Sequence, residues 1–481
     1  MKMALDHAKE KDFSEWYSDV VIKSGMADYA SVQGCIVYRE ISYGVWEKIQ
    51  QAFDGMIKST GHSNVYFPMF IPKSLLEREA EHFAGFTPEV AWVTKGGNTD
   101  LAEPLAIRPT SETIMYESYA KWLHSWRDLP FLFNQWCSVV RWETKATKPF
   151  LRGREFLWQE GHTVHETKED ADKEVMMILD FYRMIYEDYL AIPVLMGRKS
   201  DGEKFAGALY TTTLEAMMPD GKALQACTSH NLGQNFAKAF GLQFKDRNEK
   251  LAYAWQCSWG LSTRALGAMV MVHSDDNGLV LPPKVAPLQC VIVPIPGNDS
   301  IAQARVMDEV AKVKKSLVLA GITVKVDDRE DKQPGWKYNE WELKGVPIRI
   351  EIGPKDVDKG AAMLVRRDNR EKKSVPLAQV VQSVRDMMDA MQAAMFTKAK
   401  SFLESKIFEA SDYAEFKSKL EKSKGFIKVS WCDEKECEDA VNKETTATVR
   451  IIPFTENKPT NPVCFHCGKP AKTIAYFAKS Y

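Results

Sequence analysis

A cluster of prolines interrupts the chain at residues 281–287, where the sequence reads Leu-Pro-Pro-Lys-Val-Ala-Pro. Prolines this close together are typical of a linker or a domain edge, because proline cannot continue a helix or a central strand. Before the cluster, amphipathic helices mix with strands joined by long, varied connections, which indicates an antiparallel sheet. After it, strands alternate with helices, which predicts a small α/β domain with a largely parallel sheet. A chain of 481 residues is too long to fold around a single hydrophobic core. We therefore expect domains at residues 1–286, 287–400 and 401–481.

The charge balance does not by itself indicate a nucleic-acid partner. Lys and Arg number 64 against 65 Asp and Glu, so an RNA-binding surface would have to be a local patch. Residues 1–16 are charged and lack the apolar core of a signal peptide. The apolar runs are shorter than the roughly 20 residues that a membrane span requires. We expect a cytoplasmic protein with no membrane partner.

Four of the nine cysteines lie close together near the C-terminus, as the pairs Cys432/Cys437 and Cys464/Cys467. In a large chain without a secretion signal, such clustering favours a metal over disulfides. Two pairs separated by a loop suit a tetrahedral structural Zn²⁺ site. The alternatives are four free thiols, or a site in which His466 replaces one cysteine.

A polar segment, RPTSE at residues 108–112, directly precedes a helical pattern at 113–126. It fits an ordinary helix start, in which Pro109 fixes the backbone and a hydroxyl caps free amides. It also fits a ligand site, because the Thr110 hydroxyl and the Glu112 carboxylate together suit an ammonium group with several N–H donors.

Two further segments place charge beside apolar residues. Residues 139–143 and 152–162 resemble two antiparallel strands whose charged face carries Arg141, Glu143, Glu160 and His162; a solvated sheet face is the alternative. Arg264 begins an otherwise apolar helix, where a buried guanidinium requires an anion; an internal ion pair is the alternative. The sequence contains no G-x-x-x-x-G-K-[ST] loop and no G-x-G-x-x-G turn, so any ATP would be held by arginines and metal on a sheet.

These segments follow the order of the three class II aminoacyl-tRNA synthetase motifs, and the chain resembles that class. Residues 34–46 with 66–72 are similar to motif 1, Arg141-Trp-Glu143 to motif 2, and residues 260–264 to motif 3. RPTSE, LWQEGHT at 157–163, EKFAGA at 203–208 and CTSHNLGQ at 227–234 resemble prolyl-tRNA synthetases in particular. The cysteine-rich end resembles the archaeal and eukaryote-like form of that family.

The resemblance implies an α+β fold: a class II catalytic domain with an antiparallel sheet flanked by helices, an α/β anticodon-binding domain, and a small C-terminal zinc-binding α+β domain. It implies a proline site formed by Thr110, Glu112, Arg141, Trp158, Glu160, His162, Phe205 and His230. It implies an ATP site formed by Arg141, Glu143, Arg152, Gln225, Thr228, Ser258 and Arg264, with Arg141 and Arg264 as the catalytic residues. Glu340 and Arg349 are expected to contact tRNA, although each also fits a solvated charged face.

The implied reaction joins L-proline to ATP as prolyl-adenylate and then transfers proline to tRNA(Pro). Such transfers require positioning and charge neutralisation more than a protein nucleophile. We expect Arg141 at the α-phosphate and the proline carboxylate, Arg264 near the γ-phosphate, and Mg²⁺ at the pyrophosphate oxygens. The family also implies a homodimer.

Only 123 positions separate Arg141 from Arg264 (264 minus 141), which leaves no room for a large editing insertion. A proline pocket also admits alanine, and missing methylenes discriminate by only about 1–3 kcal/mol. We therefore expect activation of alanine or cysteine. Two residues depart from the family pattern: Glu40 in motif 1, which bears on dimer packing, and Cys227, which bears on pocket shape.

Three alternatives remain at the sequence level. Threonyl, glycyl and histidyl enzymes share the second domain but lack the combined proline-type runs. A non-catalytic paralogue would be expected to lose Arg141 or Arg264, and both are present. The third alternative is a zinc-dependent nucleic-acid-binding protein whose N-terminal part is inactive. The three intact charged segments of that part argue against it.

Overall fold

The computed structural model describes residues 5–82, 89–142, 146–297 and 299–481. Within those ranges, no helix combines the length and the apolar character needed to cross a membrane.

The part before the proline cluster is built on an antiparallel sheet flanked by helices. Its helices are α1 (Phe13–Lys23), α2 (Glu40–Ser59), α3 (Lys73–His82), α4 (Glu112–Trp122), α5 (Lys168–Met184), α6 (Asn235–Phe240) and α7 (Arg264–His273). Its strands are β1 (Ala27–Tyr29), β2 (Ile36–Tyr38), β3 (Ser63–Asn64), β4 (Phe70–Pro72), β5 (Trp92–Gly96), β6 (Thr99–Ile107), β7 (Phe131–Val140), β8 (Glu155–His165), β9 (Leu195–Arg198), β10 (Tyr210–Met217), β11 (Ala223–Gly233), β12 (Gln243–Lys245), β13 (Leu251–Tyr253) and β14 (Trp255–Ser262). The central order is β9-β10-β11-β14-β8-β7, and each of these neighbours is antiparallel.

Helix α5 covers one face of this sheet and illustrates why these residues form these elements. The Thr167 hydroxyl accepts a hydrogen bond from the backbone N–H of Asp170, which caps the helix start. Val175, Ile178 and Tyr182 lie on its buried side, inside a core shared with α1, α2 and α7. The helix continues as a π-helical turn over Ile185–Tyr189. Because this face is closed by apolar packing, the opposite, polar face of the sheet remains available for a site.

The second part is a mixed sheet with helices. Its elements are β15 (Cys290–Pro294), α8 (Ser300–Leu319), β16 (Val324–Val326), α9 (Pro334–Leu343), β17 (Ile348–Ile352), α10 (Pro354–Asp358), β18 (Ala361–Arg366), β19 (Lys372–Pro376) and α11 (Val380–Ser405). Strands β16, β15 and β17 are parallel, as expected, whereas β18 and β19 extend the sheet in antiparallel pairs. The expectation of a largely parallel sheet is therefore too simple, because those two strands were not recognised in the sequence. Helix α11 runs to Ser405, past the expected division at residue 400.

The C-terminal part contains β20 (Ile407–Glu409), α12 (Tyr413–Lys422), β21 (Phe426–Trp431), α13 (Lys435–Thr445), β22 (Thr448–Pro453) and β23 (Thr473–Ala478). Strand β22 pairs with β9, so the sheet of this part continues the first sheet in the order β20-β21-β23-β22-β9-β10-β11-β14-β8-β7-β3. The expected α+β organisation with three successive parts is confirmed. The continuous sheet between the first and the third part was not expected.

Candidate active site

Two neighbouring rows of residues cross the polar face of the first sheet. In one row, Thr211 of β10, His230 of β11, Ser258 of β14 and His162 of β8 are successive partners across the strands. The second row lies two residues along each strand and joins Thr228, Gly260 and Glu160 in the same way. Because side chains alternate between faces with a period of two, both rows point to one side of the sheet.

Above these rows lies a cavity of about 260 Å³. Its lining includes every residue expected to bind proline: Thr110, Glu112, Arg141, Trp158, Glu160, His162, Phe205 and His230. It also includes Gln225, Thr228 and Ser258 of the expected ATP set, together with Lys199, Glu203, Thr211, Trp259 and Gly260. The structure thus brings together residues that lie far apart in the sequence.

Glu160 is the most strongly bonded acid of the cavity. Its carboxylate accepts hydrogen bonds from the Ser111 hydroxyl, from Gln135 Nε2 at 3.0 Å and from His162 Nε2 at 3.1 Å. Burial by itself would raise the pKa of Glu160, but the bonds and charge of His162 and the bonds of Ser111 and Gln135 outweigh burial and lower it to about 2. Glu160 is therefore ionised at neutral pH and offers a fixed negative charge to a cationic ligand.

Helix α4 begins at Glu112, so the RPTSE segment is a helix start as one interpretation held. Ser111 occupies the N-cap position, but its hydroxyl donates to Glu160 and makes no capping bond to the helix. The Thr110 hydroxyl donates to the Glu112 carboxylate, and both residues line the cavity. The hydroxyls of the segment therefore donate hydrogen bonds to carboxylates that line the cavity, as the ligand-site interpretation requires.

His230 supplies a neutral polar group opposite the acids. Its Nδ1 lies 2.8 Å from the Thr211 hydroxyl and its Nε2 lies 3.0 Å from the Thr228 hydroxyl. Burial lowers the pKa of His230 to about 3, with a smaller contribution from the nearby charge of His162. The Phe205 ring centroid is 4.9 Å from that of His230 and closes this wall of the cavity.

Two tryptophans pack on glycines on opposite faces of the sheet, Trp158 on the cavity face and Trp259 on the face that packs against Phe53 and Tyr182 in the core. A Cβ on Gly260 would lie 2.3 Å from the Trp158 ring, and a Cβ on Gly161 would lie 2.1 Å from the Trp259 ring. Only glycine permits this approach, which explains why both rings can lie flat against the strands. The indole nitrogens of both tryptophans and the Ser258 hydroxyl are buried without a hydrogen-bond partner in the part of the chain that the structure describes.

Arg141 lines this cavity and also a second one of about 510 Å³, which contains Arg152 and Arg264. The Arg141 guanidinium lies 5.7 Å from the Trp158 ring centroid, and its Nε donates to the Pro109 carbonyl at 3.2 Å. Burial lowers the pKa of Arg264, and the positive charges of Arg141 and Arg152 act in the same direction. Among the described residues no carboxylate lies within ion-pair distance of Arg264, whose Nη1 donates to the Gln225 carbonyl at 3.4 Å. A group of cations held together in this way is suited to an anionic ligand.

Of three further residues singled out in the sequence, Cys227 and Glu40 line neither of the two cavities. Glu143 lies outside the described residues. Cys227 faces the apolar core and does not line the cavity, so its thiol does not narrow the cavity. Glu40 is the first residue of α2, where a carboxylate is favoured by the helix dipole.

The four clustered cysteines meet at one point of the C-terminal part. Their Sγ atoms all lie within 4.8 Å of one another, with Cys437–Cys464 and Cys432–Cys467 at 3.7 Å. A tetrahedron with Zn–S bonds of about 2.3 Å has edges of about 3.8 Å, so the thiols fit a zinc ion. His466 Nδ1 lies 3.3 Å from the Cys437 sulfur, close enough to keep the Cys₃His alternative open.

The two residues expected to contact tRNA have different surroundings. Arg349 lines a basic cavity of about 280 Å³ with Arg366, Arg367, Arg370 and Lys372, and its guanidinium lies 4.2 Å from the Tyr338 ring centroid. Its Nε is also paired with Glu351 at 2.9 Å. Glu340 does not line that cavity and is paired with Arg329 and with Lys344.

Sequence reasoning missed four polar residues of the active-site region: Ser111, Gln135, Lys199 and Thr211. Ser111 stands inside the RPTSE segment, so the neighbouring Thr110 and Glu112 were the available signal. Gln135, Lys199 and Thr211 carry no local signal: the strand register brings Gln135 to Glu160 and Thr211 to His230, and Lys199 is held by Glu215 and by the Arg450 carbonyl.

Comparisons with known proteins agree over the whole chain. A family model described as tRNA synthetase class II core domain (G, H, P, S and T) matches residues 92–273, an anticodon binding domain model matches 289–387, and a model for the C-terminal part of prolyl-tRNA synthetase matches 413–481. Proline–tRNA ligase 2 of Clostridioides difficile strain 630 is 52% identical, and proline–tRNA ligase of Clostridium botulinum strain ATCC 19397 is 51% identical; each match spans 98% of this chain and 97% of the relative.

The crystal structure of prolyl-tRNA synthetase from Cryptosporidium parvum, complexed with halofuginone and AMPPNP, has the same fold. It superposes with a TM-score of 0.95 at 45% identity and covers 100% of this chain and 97% of that one. Family models, full-length relatives and fold therefore agree, and the chain belongs to the prolyl-tRNA synthetase family of class II enzymes that ligate proline to tRNA.

Proposed function

We propose that the chain condenses L-proline with ATP in the two adjoining cavities and then transfers the prolyl group to tRNA(Pro). The observation that carries this proposal is the position of Arg141, which lines both cavities. A reaction between a bound amino acid and a bound nucleotide requires a cation where carboxylate and α-phosphate meet.

The smaller cavity is assigned to proline. Glu112, Glu160 and the Thr110 hydroxyl receive the secondary ammonium group, and Arg141 receives the carboxylate. Trp158, Phe205, His162 and His230 enclose the ring. The small volume and the fixed charge of Glu160 support this assignment.

The larger cavity is assigned to the ATP phosphates, with Arg152 and Arg264 along the triphosphate. Gln225, Thr228 and Ser258 line the proline cavity beside it and complete the proposed ATP set at the junction; Glu143 remains part of that proposal. The Cryptosporidium parvum relative was solved with AMPPNP, an ATP analogue, which supports a nucleotide site here. ATP is expected to enter with Mg²⁺ on its phosphate oxygens.

The wider assignments follow from the family. We propose domains at 1–286, 287–400 and 401–481, which the matched ranges support, with a structural Zn²⁺ held by Cys432, Cys437, Cys464 and Cys467. Glu340 and Arg349 are proposed to contact tRNA, and Arg349 has the stronger support because it lines the basic cavity. A cytoplasmic homodimer is proposed, supported by large exposed apolar side chains at Tyr29, Tyr66 and Phe70. We further propose that the enzyme lacks a cis-editing domain and activates some alanine or cysteine.

The proposal is tested by charging tRNA(Pro) with labelled proline. The chain is expected to charge this tRNA, and Arg141→Lys is expected to lower kcat/KM by about 100-fold, since lysine cannot bond two oxygens in the plane of a guanidinium. Arg183→Lys serves as the matched control, because Arg183 pairs with Asp180 and Glu187 on the surface of α5. Equal activity of the Arg141→Lys variant and the wild type would contradict the assignment of Arg141.

A further inference from the structure

Strand β9 belongs at once to the sheet of the catalytic part and to that of the C-terminal part. On one side, residues Leu195, Met196, Gly197 and Arg198 pair with β10, and on the other side Gly197 and Arg198 pair with Pro453 and Ile452 of β22. The approach is so close that a Cβ on Gly197 would lie 2.2 Å from the Ile452 carbonyl oxygen. A displacement of β22 would therefore be transmitted directly to β9.

A buried cluster of three charges lies across this junction. Arg450 of β22 donates from Nε at 3.1 Å and from Nη2 at 3.0 Å to the Glu215 carboxylate of β10. The same carboxylate accepts from Lys199 Nζ at 2.7 Å, and Lys199 Nζ also donates to the Arg450 carbonyl at 3.2 Å. All three side chains are buried, so the geometry of each depends on its charged partners, which for Arg450 also include Glu203 at 3.9 Å.

Lys199 connects this cluster to the proline cavity. Its side chain lines the cavity, and its backbone N–H donates to the Thr211 carbonyl at 2.9 Å. The Thr211 hydroxyl in turn lies 2.8 Å from His230 Nδ1 and accepts from the Phe205 backbone N–H at 3.0 Å. One wall of the cavity is thus fixed by strand β9 and by the partners of Lys199.

We propose that Arg450 is a positioning residue for proline binding: from the C-terminal part it fixes Glu215 and Lys199, and through them the Thr211–His230–Phe205 wall. This inference rests on the proposed assignment of the smaller cavity to proline. Arg450 acts only through other residues and does not line the cavity itself. The larger cavity, which holds Arg152 and Arg264, has no residue of this cluster in its lining. Because Gln225, Thr228 and Ser258 of the proposed ATP set line the smaller cavity as well, the effect of Arg450 should fall more strongly on proline than on ATP.

The test compares Arg450→Met and Arg450→Lys in proline-dependent ATP–pyrophosphate exchange with the full chain. Methionine leaves Lys199 and Glu215 as a neutral pair, whereas lysine keeps the charge but bonds one carboxylate oxygen only. Arg450→Met is expected to raise the proline KM about tenfold and Arg450→Lys about threefold, while the ATP KM stays within about twofold of wild type. Should the methionine variant fail to fold, the proline-specific rise in the lysine variant decides the question.

Arg198→Ala is the matched control. Arg198 also joins the two parts, through an ion pair of 2.7 Å with Asp433, but that pair is part-exposed, and among the described residues no hydrogen bond or ion pair joins the Arg198 side chain to Lys199 or Glu215. The proline KM of the Arg198→Ala variant should equal that of the wild type. The inference is overturned if folded Arg450 variants keep the wild-type proline KM, or if the proline and ATP KM values rise together. Absence of proline-dependent exchange in the wild type would instead overturn the proposed function.

Discussion

Glu160 shows how single residues are prepared for a ligand in this cavity. Four donors, from Ser111, Gln135, His162 and Cys137, hold its carboxylate, so its orientation is set before any ligand arrives. Cys137 Sγ lies 3.4 Å from the same oxygen that Ser111 contacts. Such pre-organisation reduces the entropy that binding must otherwise overcome.

Replacing Glu160 by glutamine tests this residue directly. The variant keeps the shape but loses the charge, so it should lose about 1.5–3 kcal/mol of proline binding, or roughly 10- to 100-fold in KM. The ATP KM should not change. Glu117→Gln is the control, because Glu117 forms a surface pair with Lys121 on α4. Initial rates of ATP–pyrophosphate exchange give both constants, and a proline KM equal to that of the control would refute the role of Glu160.

The lowered pKa of His230 predicts that the free energy of unfolding depends on pH. Its folded-state pKa is lowered to about 3 from an ordinary 6.5, so the unfolded chain binds the proton first on acidification. The stability that His230 contributes is complete above pH 6.5 and is lost as the pH falls from about 6.5 towards 3. A His230→Gln variant lacks this loss, so the stability advantage of the wild type should shrink between pH 7.5 and pH 5.0. Urea denaturation at both values measures the difference, and an unchanged difference would exclude His230 as its source.

At the scale of elements, the four cysteines proposed to bind zinc come from a helix and from segments beside the sheet of the C-terminal part. Cys437 lies on α13, Cys432 directly follows β21, and Cys464 and Cys467 belong to the segment between β22 and β23. A metal joining them would link the helix to the sheet and would stabilise a small core that has few residues of its own.

Cysteine variants test this link. The purified chain is expected to contain one zinc per molecule, and Cys464→Ser should lose it and unfold at a lower temperature. Cys35→Ser should keep the zinc, because Cys35 lies far from the cluster in the catalytic part. His466→Ala separates the two possible ligand sets, since only a Cys₃His site would lose metal. Metal analysis with thermal unfolding provides both readouts, and full zinc in Cys464→Ser would contradict the assignment.

The elements also show which features the sequence predicts and which it does not. The pattern at residues 300–320 predicts α8 closely, because its apolar positions follow one helical stripe. The pattern at residues 168–190 also predicts a helix, with Met177 and Phe181 on its buried stripe; in the structure the helix forms, but these two residues are only half-buried, while Ile178 and Tyr182 are buried. That helix carries apolar residues on two adjoining stripes. Which of the two stripes is buried depends on tertiary packing and cannot be read from the pattern. Strand β19 was missed because it is a largely exposed edge strand with little apolar pattern.

At the scale of the whole molecule, contacts join the catalytic part, which contains the site, to parts that are distant from it in the sequence. Arg367 binds both Asp275 oxygens at 2.9 and 2.7 Å and connects the anticodon-binding part to the end of α7. Strand β22 joins the C-terminal part to the catalytic sheet. The residues proposed to bind proline could be named from the sequence, because they lie in motifs that resemble those of the family. Lys199 and Arg450 could not, because their proximity depends on a strand pairing between segments far apart in the sequence.

The most direct test of the account is ATP–pyrophosphate exchange by the purified chain, with each of the twenty amino acids in turn and without tRNA. Because Arg141 joins a small cavity with fixed acids to a cavity rich in arginine, we expect exchange dominated by proline, with weaker exchange for alanine or cysteine. Strict rejection of both would exclude the proposed misactivation alone. No exchange with any amino acid, in a folded sample that holds zinc, would contradict the central claim and indicate a non-catalytic member of the family.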